Sequence, residues 1–245
     1  MTTGFDSIIY EREDDVARVL LNRPQVINAF NVQMRDELYQ ILQAIKDDSE
    51  IKAVIIAGAG DRGFCAGADL TEFGTAPSQV IARQIRWERD LWGLFCELPQ
   101  PVVCALHGHV IGSGVEIALL CDLRIAADDA MFSMPEVKLG MIPAAGGTQT
   151  MARNIGIPSA LDLLLLQRQI TPLEAKKIGM VHRVVPREKL EQESLELASF
   201  LAKKDANLLQ ACKTALRRGS DLPLPQGLAL EERLTLQAWD RTHGS

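Results

Sequence analysis

Two glutamates twenty positions apart, Glu116 and Glu136, are the residues of this chain best suited by type and setting to move protons. Glu116 lies in the turn-to-helix stretch Ser113-Gly114-Val115-Glu116, and Glu136 lies in apolar company, in Phe132-Ser133-Met134-Pro135-Glu136-Val137. A carboxyl drawn into such surroundings keeps its proton to higher pH, because burial penalises the charged form. That makes it a candidate general acid or base. Each has a plainer reading as well. Ser113 to Glu116 has the spacing of a helix capping box, and a glutamate in a first helical turn is favoured by the helix dipole. Glu136 could equally stand at the surface, the commoner fate of a glutamate.

Two glycine-containing turns offer the complementary chemistry. One, Gly63-Phe64-Cys65-Ala66-Gly67-Ala68-Asp69-Leu70, follows the apolar run Val54–Ala57. The other, Gly108-His109-Val110-Ile111-Gly112-Ser113-Gly114, follows Val102–Leu106. Small residues let a ligand approach the main chain, and the first amides of a helix have no internal partner. Two such turns on neighbouring strands can aim two N–H groups at one oxygen, which is an oxyanion hole in outline. Competing motifs are absent. Gly112-Ser113-Gly114 lacks the third glycine of a dinucleotide fingerprint and the Gly-Lys-Ser/Thr of a phosphate loop, and it is no nucleophile elbow. No CxxC or HExxH occurs, so no metal site is expected. Of the remaining polar residues, His107 and His109 alternate across Gly108, one expected inward and one outward. Asp122 at a helix-to-strand junction is expected to bond the backbone, and His182 is given no role.

These residues need elements to position them. Ile8–Glu11 and Val16–Leu21 predict a hairpin around a turn at residues 12–15. Met34, Leu38, Ile41, Leu42 and Ile45 place one apolar face on a helix over 31–47. Val54–Ala57 and Val102–Leu106 are continuous apolar runs, as in strands covered on both sides. Residues 79–96 predict one helix with Ile81, Ile85, Leu91 and Leu94 inward. A short helix over 113–120 and a strand over 123–127 follow. Beyond Gly146 nearly all of the chain predicts helix, apart from a strand within 180–185. Thr171-Pro172-Leu173-Glu174 is a capping-box start, stopped at Gly179. Further helices are expected over 187–201, over 207–216 and after Pro225. The division expected is an α/β core over 1–185 and a helical region over 186–245.

Composition narrows the function classes. The 245 residues carry 26 Lys+Arg against 32 Asp+Glu, a net charge of −6, with 47% hydrophobic residues. That much apolar content excludes general disorder. The acidic balance argues against a nucleic-acid binder. The longest uncharged stretch, 98–115, holds two prolines, two histidines and three glycines, so no membrane span is expected. Five cysteines without a paired spacing, and no basic or apolar leader, point to free thiols in a reducing, cytoplasmic setting.

Together the motifs resemble one family. Leu21-Asn22-Arg23-Pro24-Gln25-Val26-Ile27-Asn28-Ala29, Phe64 to Leu70, Gly112 to Glu116 with Cys121-Asp122, Met134 to Pro143, and Gly146-Gly147-Thr148-Gln149 stand in the order seen in the crotonase superfamily of enoyl-CoA hydratases and isomerases. The resemblance runs from about Ile8 to Trp239. It implies an α/β spiral of ββα units of the ClpP/crotonase type with a helical C-terminal trimerisation region, assembled as a trimer or a dimer of trimers. The ligand implied is an acyl-CoA thioester. Coenzyme A is then part of the substrate, and no separate cofactor is called for. Its thioester oxygen would meet the N–H groups of Ala68 and Ser113. Main chain at Gln25, Val26 and Ile27, and at Ala66, Gly67, Ala68, Asp69 and Leu70, would hold the coenzyme. The hydratase subgroup carries two glutamates, matched here by Glu116 and Glu136, whereas single-acid isomerases lack the first. The alternatives are a sibling acting on another acyl-CoA (an isomerase, a dienoyl-CoA hydratase or a hydroxyacyl-CoA dehydratase), or an acyl-CoA-binding subunit without catalysis. Three departures stand out: Gln25 where relatives often have lysine, Ala144 for a glycine at the turn near the catalytic water, and a chain that ends soon after Trp239, where many relatives continue. The acyl pocket wall is expected from 71–87, with Phe73, Ile81 and Ile85 as lining.

Overall fold

The computed structural model describes residues 4–72, 75, 78–143 and 145–243. Its elements are β1 (Ile8–Glu13), β2 (Val16–Leu21), α1 (Val32–Asp47), β3 (Ala53–Gly58), α2 (Gln79–Glu88), α3 (Leu91–Glu97), β4 (Val102–Leu106), β5 (His109–Ile111), α4 (Ser113–Leu120), β6 (Leu123–Ala127), β7 (Met131–Ser133), α5 (Gly147–Leu166), α6 (Pro172–Lys177), β8 (Arg183–Val185), α7 (Leu190–Ala202), α8 (Ala206–Gly219) and α9 (Leu224–His243). Six strands form one sheet in the order β1-β2-β3-β4-β6-β8, antiparallel at the hairpin and parallel beyond it. β5 and β7 pair separately, also in parallel.

The continuous apolar runs follow from burial on both faces. Along β3, Val54 and Ile56 join one cluster with Leu38 and Leu42 of α1 and Phe95 of α3, while Ala53 and Ile55 face a second cluster with Leu190 and Ala198 of α7. Along β4, Val102, Cys104 and Leu106 alternate with Val103 and Ala105 in the same way. Each fully buried aliphatic side chain contributes about 1.5–3 kcal/mol, so this double layer is the main source of stability. The second face is therefore covered by α7, a helix from the predominantly helical second half.

Local signals behave as their chemistry dictates. Asn31 caps α1 by accepting from the Met34 N–H, and Thr171 and Glu174 close the capping box of α6. The expected helix over 79–96 is two helices: Asp90 accepts from the Gly93 N–H and starts α3 afresh. Leu91 and Leu94 are buried, but Ile81 is 40% exposed. The hairpin turn is tighter than expected, because Asp14 takes a positive φ of 51° and lets β1 run to Glu13. α5 bends at Gly156 (φ 77°, ψ 156°) before Pro158. No helix among the described residues is long and apolar enough to cross a membrane.

Candidate active site

The parallel register sets the site. Ile56 pairs with Cys104 and Ala57 with Ala105, so β3 and β4 end side by side and the turns leaving them run together. Backbone hydrogen bonds hold these turns together: Phe64 N–H to His107 O, Cys65 N–H to His109 O and Ile111 N–H to Cys65 O at 2.9–3.0 Å, and His109 N–H to Arg62 O at 3.2 Å. Gly67 (φ 96°) and Gly112 (φ 50°) occupy conformations that favour glycine, and their main chains meet. A Cβ on Gly67 would lie 3.3 Å from Ile111 O, and one on Gly112 would lie 3.6 Å from Gly67 Cα. Ala68 and Ser113 follow these two glycines. Among the described residues, neither of their N–H groups donates to a protein acceptor.

The first turn is anchored from outside. Asn28 is fully buried; its Oδ1 accepts from Arg23 N–H (2.9 Å) and its Nδ2 donates to Ala59 O (2.9 Å) and Gly63 O (3.0 Å). Arg23 bonds Asp69 at 2.9 Å, and with the Thr71 hydroxyl it holds the Asp69 carboxyl below the usual range, Thr71 having the larger effect. Ala66 N–H donates to Ile27 O at 2.8 Å. Gln25, Val26 and Ile27 thus lie against 66–70, with Gln25, Val26 and Leu70 exposed. Arg62 donates to the carbonyls of Pro24 and Gln25. Cys65 is a packing residue, since burial pushes its thiol up to about 12.

Glu116 is no capping box. The N-cap of α4 is Gly112, without a side-chain cap, and the Glu116 carboxylate points away across the fold. Its Oε1 accepts from Ala145 N–H (3.0 Å) and Gly147 N–H (2.9 Å) at the start of α5. Gly147 is the first residue of α5, its N–H without an intrahelical acceptor, and Ala145 stands just before the N-cap Gly146, so the dipole that favours an anion belongs to α5. Glu116 is 2% exposed.

Glu136 arrives from β7. Gly112 N–H donates to Ser133 O, which holds the start of the second turn against that strand. Glu136 Oε1 lies 2.6 Å from where a Gly112 Cβ would stand, and its Oε2 is buried with no partner. Burial raises the Glu136 pKa; its own backbone N–H opposes this, and the charge of Glu116 adds to the rise. Glu136, Gly112 and Gly67 converge, with Ser113 and Ala68 next to them.

Comparison with known proteins identifies the arrangement. The family described as enoyl-CoA hydratase/isomerase matches residues 11–243. The chain belongs to the enoyl-CoA hydratase/isomerase family. It is 36% identical over 227 residues to the 2,3-dehydroadipyl-CoA hydratase of Escherichia coli, covering 93% of this chain and 88% of that protein. It is 35% identical over 237 residues to the short-chain-enoyl-CoA hydratase of Clostridium acetobutylicum, covering 92% and 87%. The crystal structure of an enoyl-CoA hydratase from Bacillus anthracis superposes with a TM-score of 0.90 at 34% identity, over 98% of this chain and 94% of that one. The fold is therefore the mixed α/β crotonase type with a helical C-terminal region.

The expected polar residues divide as follows. His107 is buried, with Nε2 2.9 Å from Gly60 O, and His109 is exposed. Asp122 accepts from Val102 N–H and also pairs with Lys213 and Arg217 of α8, which sequence reasoning missed. It likewise missed Ala145 and Gly147 as partners of Glu116; the Gly146-Gly147 pair was the available signal. Cys65, Cys104 and Cys121 are buried, while Cys96 and Cys212 are exposed. No cluster of three or more His, Cys, Asp or Glu among the described residues could hold a metal ion. Ala144 and Phe73 lie outside the described residues. A cavity of about 450 Å³ opens beside Ala145, lined also by Trp92, Gly93, Cys96, Leu120 and Thr150. Ile81 and Ile85 do not line it.

Proposed function

We propose that this chain is an enoyl-CoA hydratase, a hydro-lyase that adds water reversibly and syn across the 2,3 double bond of a 2-enoyl-CoA to give a 3-hydroxyacyl-CoA. The observation that carries this reading is the buried carboxyl oxygen of Glu136, beside a second buried glutamate and the main-chain amides of Ala68 and Ser113, the oxygen and both amides without a protein partner among the described residues. Glu116, oriented by Ala145 and Gly147, takes a proton from water as its oxygen bonds to Cβ. The alkene electron pair moves towards the thioester oxygen, where the N–H groups of Ala68 and Ser113 meet the developing charge. One such donor is worth about 2.7–4 kcal/mol of barrier. Glu136, whose carboxyl burial makes easier to protonate, delivers a proton to Cα. Transfer of the proton from Glu116 back to Glu136 resets the pair, so the net change is one added water. Main chain at Gln25–Ile27 and 66–70 holds coenzyme A, and the 450 Å³ cavity receives the acyl group. The reaction needs no further cofactor.

The relatives' names support the reaction class. The glutamate pair favours hydration over isomerisation, which moves a proton and adds no water. Exposed Leu224, Leu228, Leu236 and Trp239 on α9 and Ile157, Leu161 and Leu165 on α5 support self-association, as a trimer or a dimer of trimers. A cytoplasmic setting fits the free cysteines. The test is loss of enone absorbance from trans-2-enoyl-CoA thioesters, with mass spectrometry of the product. A gain of one water is expected, together with loss of turnover in folded Glu136→Gln. A product of unchanged mass makes the chain an isomerase, and binding without turnover at every chain length makes it a binding subunit.

A further inference from the structure

Helix α4 has eight residues and carries both Ser113 and Glu116. Two turns of helix have too few internal bonds to fix their own position, so neighbours must do it. A helix also leaves its last carbonyls without internal partners. On α4 they are taken by side chains of three other elements. Arg124 of β6 donates from Nη1 to Cys121 O at 2.8 Å and reaches Ala118 O at 3.5 Å. Asn154 of α5 reaches Leu119 O through Nδ2 at 3.4 Å. Arg217 of α8 donates from Nη2 to Leu120 O at 2.6 Å.

Arg124 is 4% exposed, and among the described residues no carboxylate forms an ion pair with it. Its other N–H groups go to Met180 O (2.6 Å) and Asn154 Oδ1 (2.9 Å). A buried guanidinium spent wholly on neutral oxygens acts as a fixed fork rather than as half of a salt bridge. The bond to Asn154 closes a ring. α4 meets α5 at one end where Glu116 accepts from Gly147 N–H, and at the other where Arg124 and Asn154 join Leu119 and Cys121. α4 cannot rotate about either contact without breaking the other.

We infer that Arg124, Asn154 and Arg217 form a clamp on the last turn of α4. They are positioning residues that set where the Ser113 N–H and the Glu116 carboxylate stand. Through Arg217, which also holds Asp122 (2.8 Å) and Phe95 O (3.1 Å), the C-terminal helices become part of the clamp. The inference rests on the hydratase reading only in taking Ser113 and Glu116 as the working groups.

The test compares Arg217→Met, which keeps the apolar stem, with Arg217→Lys and with Asn154→Asp, which keeps the acceptor for Arg124 but loses the donor to Leu119 O and to Thr150 O of its own helix. On a 2-enoyl-CoA, kcat is expected to fall roughly 10–100-fold in Arg217→Met with KM changed less than about twofold, because misplacement acts on the reacting geometry. Arg217→Lys should recover part of the loss. The carbonyl stretch of a bound thioester, lowered by the two amides in the parent protein, should move back towards its free value in Arg217→Met and Asn154→Asp. Amide exchange across 113–120 should quicken in both without ligand. If Arg217→Met fails to fold, Asn154→Asp carries the same readouts. Parent kcat and carbonyl frequency in a folded variant overturn the clamp. If the parent protein turns over no enoyl-CoA, the hydratase reading fails instead. The clamp is then judged by amide exchange, and unchanged rates over 113–120 overturn it.

Discussion

Replacing Gly147 with alanine sets two effects against each other. Gly147 is the first residue of α5, and helix propensity alone favours alanine there by up to about 1 kcal/mol. The added Cβ, however, would stand 2.7 Å from Pro143 Cβ and 2.8 Å from Glu116 Oε1. The second distance is roughly 0.6 Å short of the 3.4 Å at which such contacts become ordinary. Neither neighbour yields easily: Pro143 has a fixed ring, and Glu116 Oε1 is held by Ala145 and Gly147 at 3.0 and 2.9 Å. Overpacking of this kind costs about 1–3 kcal/mol. Weakening one hydrogen bond to a charged group costs about 1.5–3 kcal/mol more. The clash wins, and Gly147→Ala should lose about 2–4 kcal/mol in urea unfolding despite its better propensity. If Glu116 is the base, its displacement should also lower kcat about 10²–10⁴-fold, followed by enone absorbance. Gly219→Ala is the control. It is the same substitution at the last residue of α8, where an added Cβ meets nothing within 4 Å, and it should leave turnover unchanged and raise stability by up to about 1 kcal/mol. A folded Gly147→Ala protein with the parent's kcat and urea midpoint would refute the placement of the Glu116 carboxylate.

Glu136→Gln should be more stable than the parent protein at pH 8 and equal to it near pH 4. Burial raises the folded pKa of Glu136, so its ionisation penalises the fold once pH passes the unfolded value, about 4.3, and fully so above the folded value. A difference in Tm that is the same at both pH values sinks this account. Asn28→Ala should cost about 3 kcal/mol or more in equilibrium unfolding, since it removes three hydrogen bonds of a buried side chain and puts alanine at φ 54°. A loss below about 1 kcal/mol contradicts it.

What the sequence made legible follows from the range of each interaction. β3, β4, α1 and α4 were legible because burial on one face or two leaves a local pattern of period 3.6, or a solid apolar run. β5 and β7 were not, because three residues cannot display a period; only their pairing, with Val110 opposite Phe132, reveals them. The break between α2 and α3 was masked by apolar spacing that continues across it, although Asp90 was a cap in plain sight. Glu116 shows the limit most clearly. Its local signature, Ser113 three residues before, was that of a cap, while its partners Ala145 and Gly147 lie 29 and 31 residues away. A local signal and a long-range one competed for the same side chain, and the amides at the start of α5 won.

The oxygen-binding half of the site was legible only as two turns, and there is a physical reason. Its donors are main-chain N–H groups, so the identities of Ala68 and Ser113 are free to vary while those of their predecessors are not. Gly112 must leave room for Glu136 at 2.6 Å, and Gly67 must let its turn lie against Ile111. The constraint that matters for an amide donor is therefore written one residue upstream, as a positive φ, and two strands upstream, as the register between β3 and β4. A slip of one residue in that register would put Val54 and Ile56 on the face now held by Ala53 and Ile55. The core thus enforces the alignment of the two turns, and the cost of misaligning the donors is the cost of turning the sheet inside out.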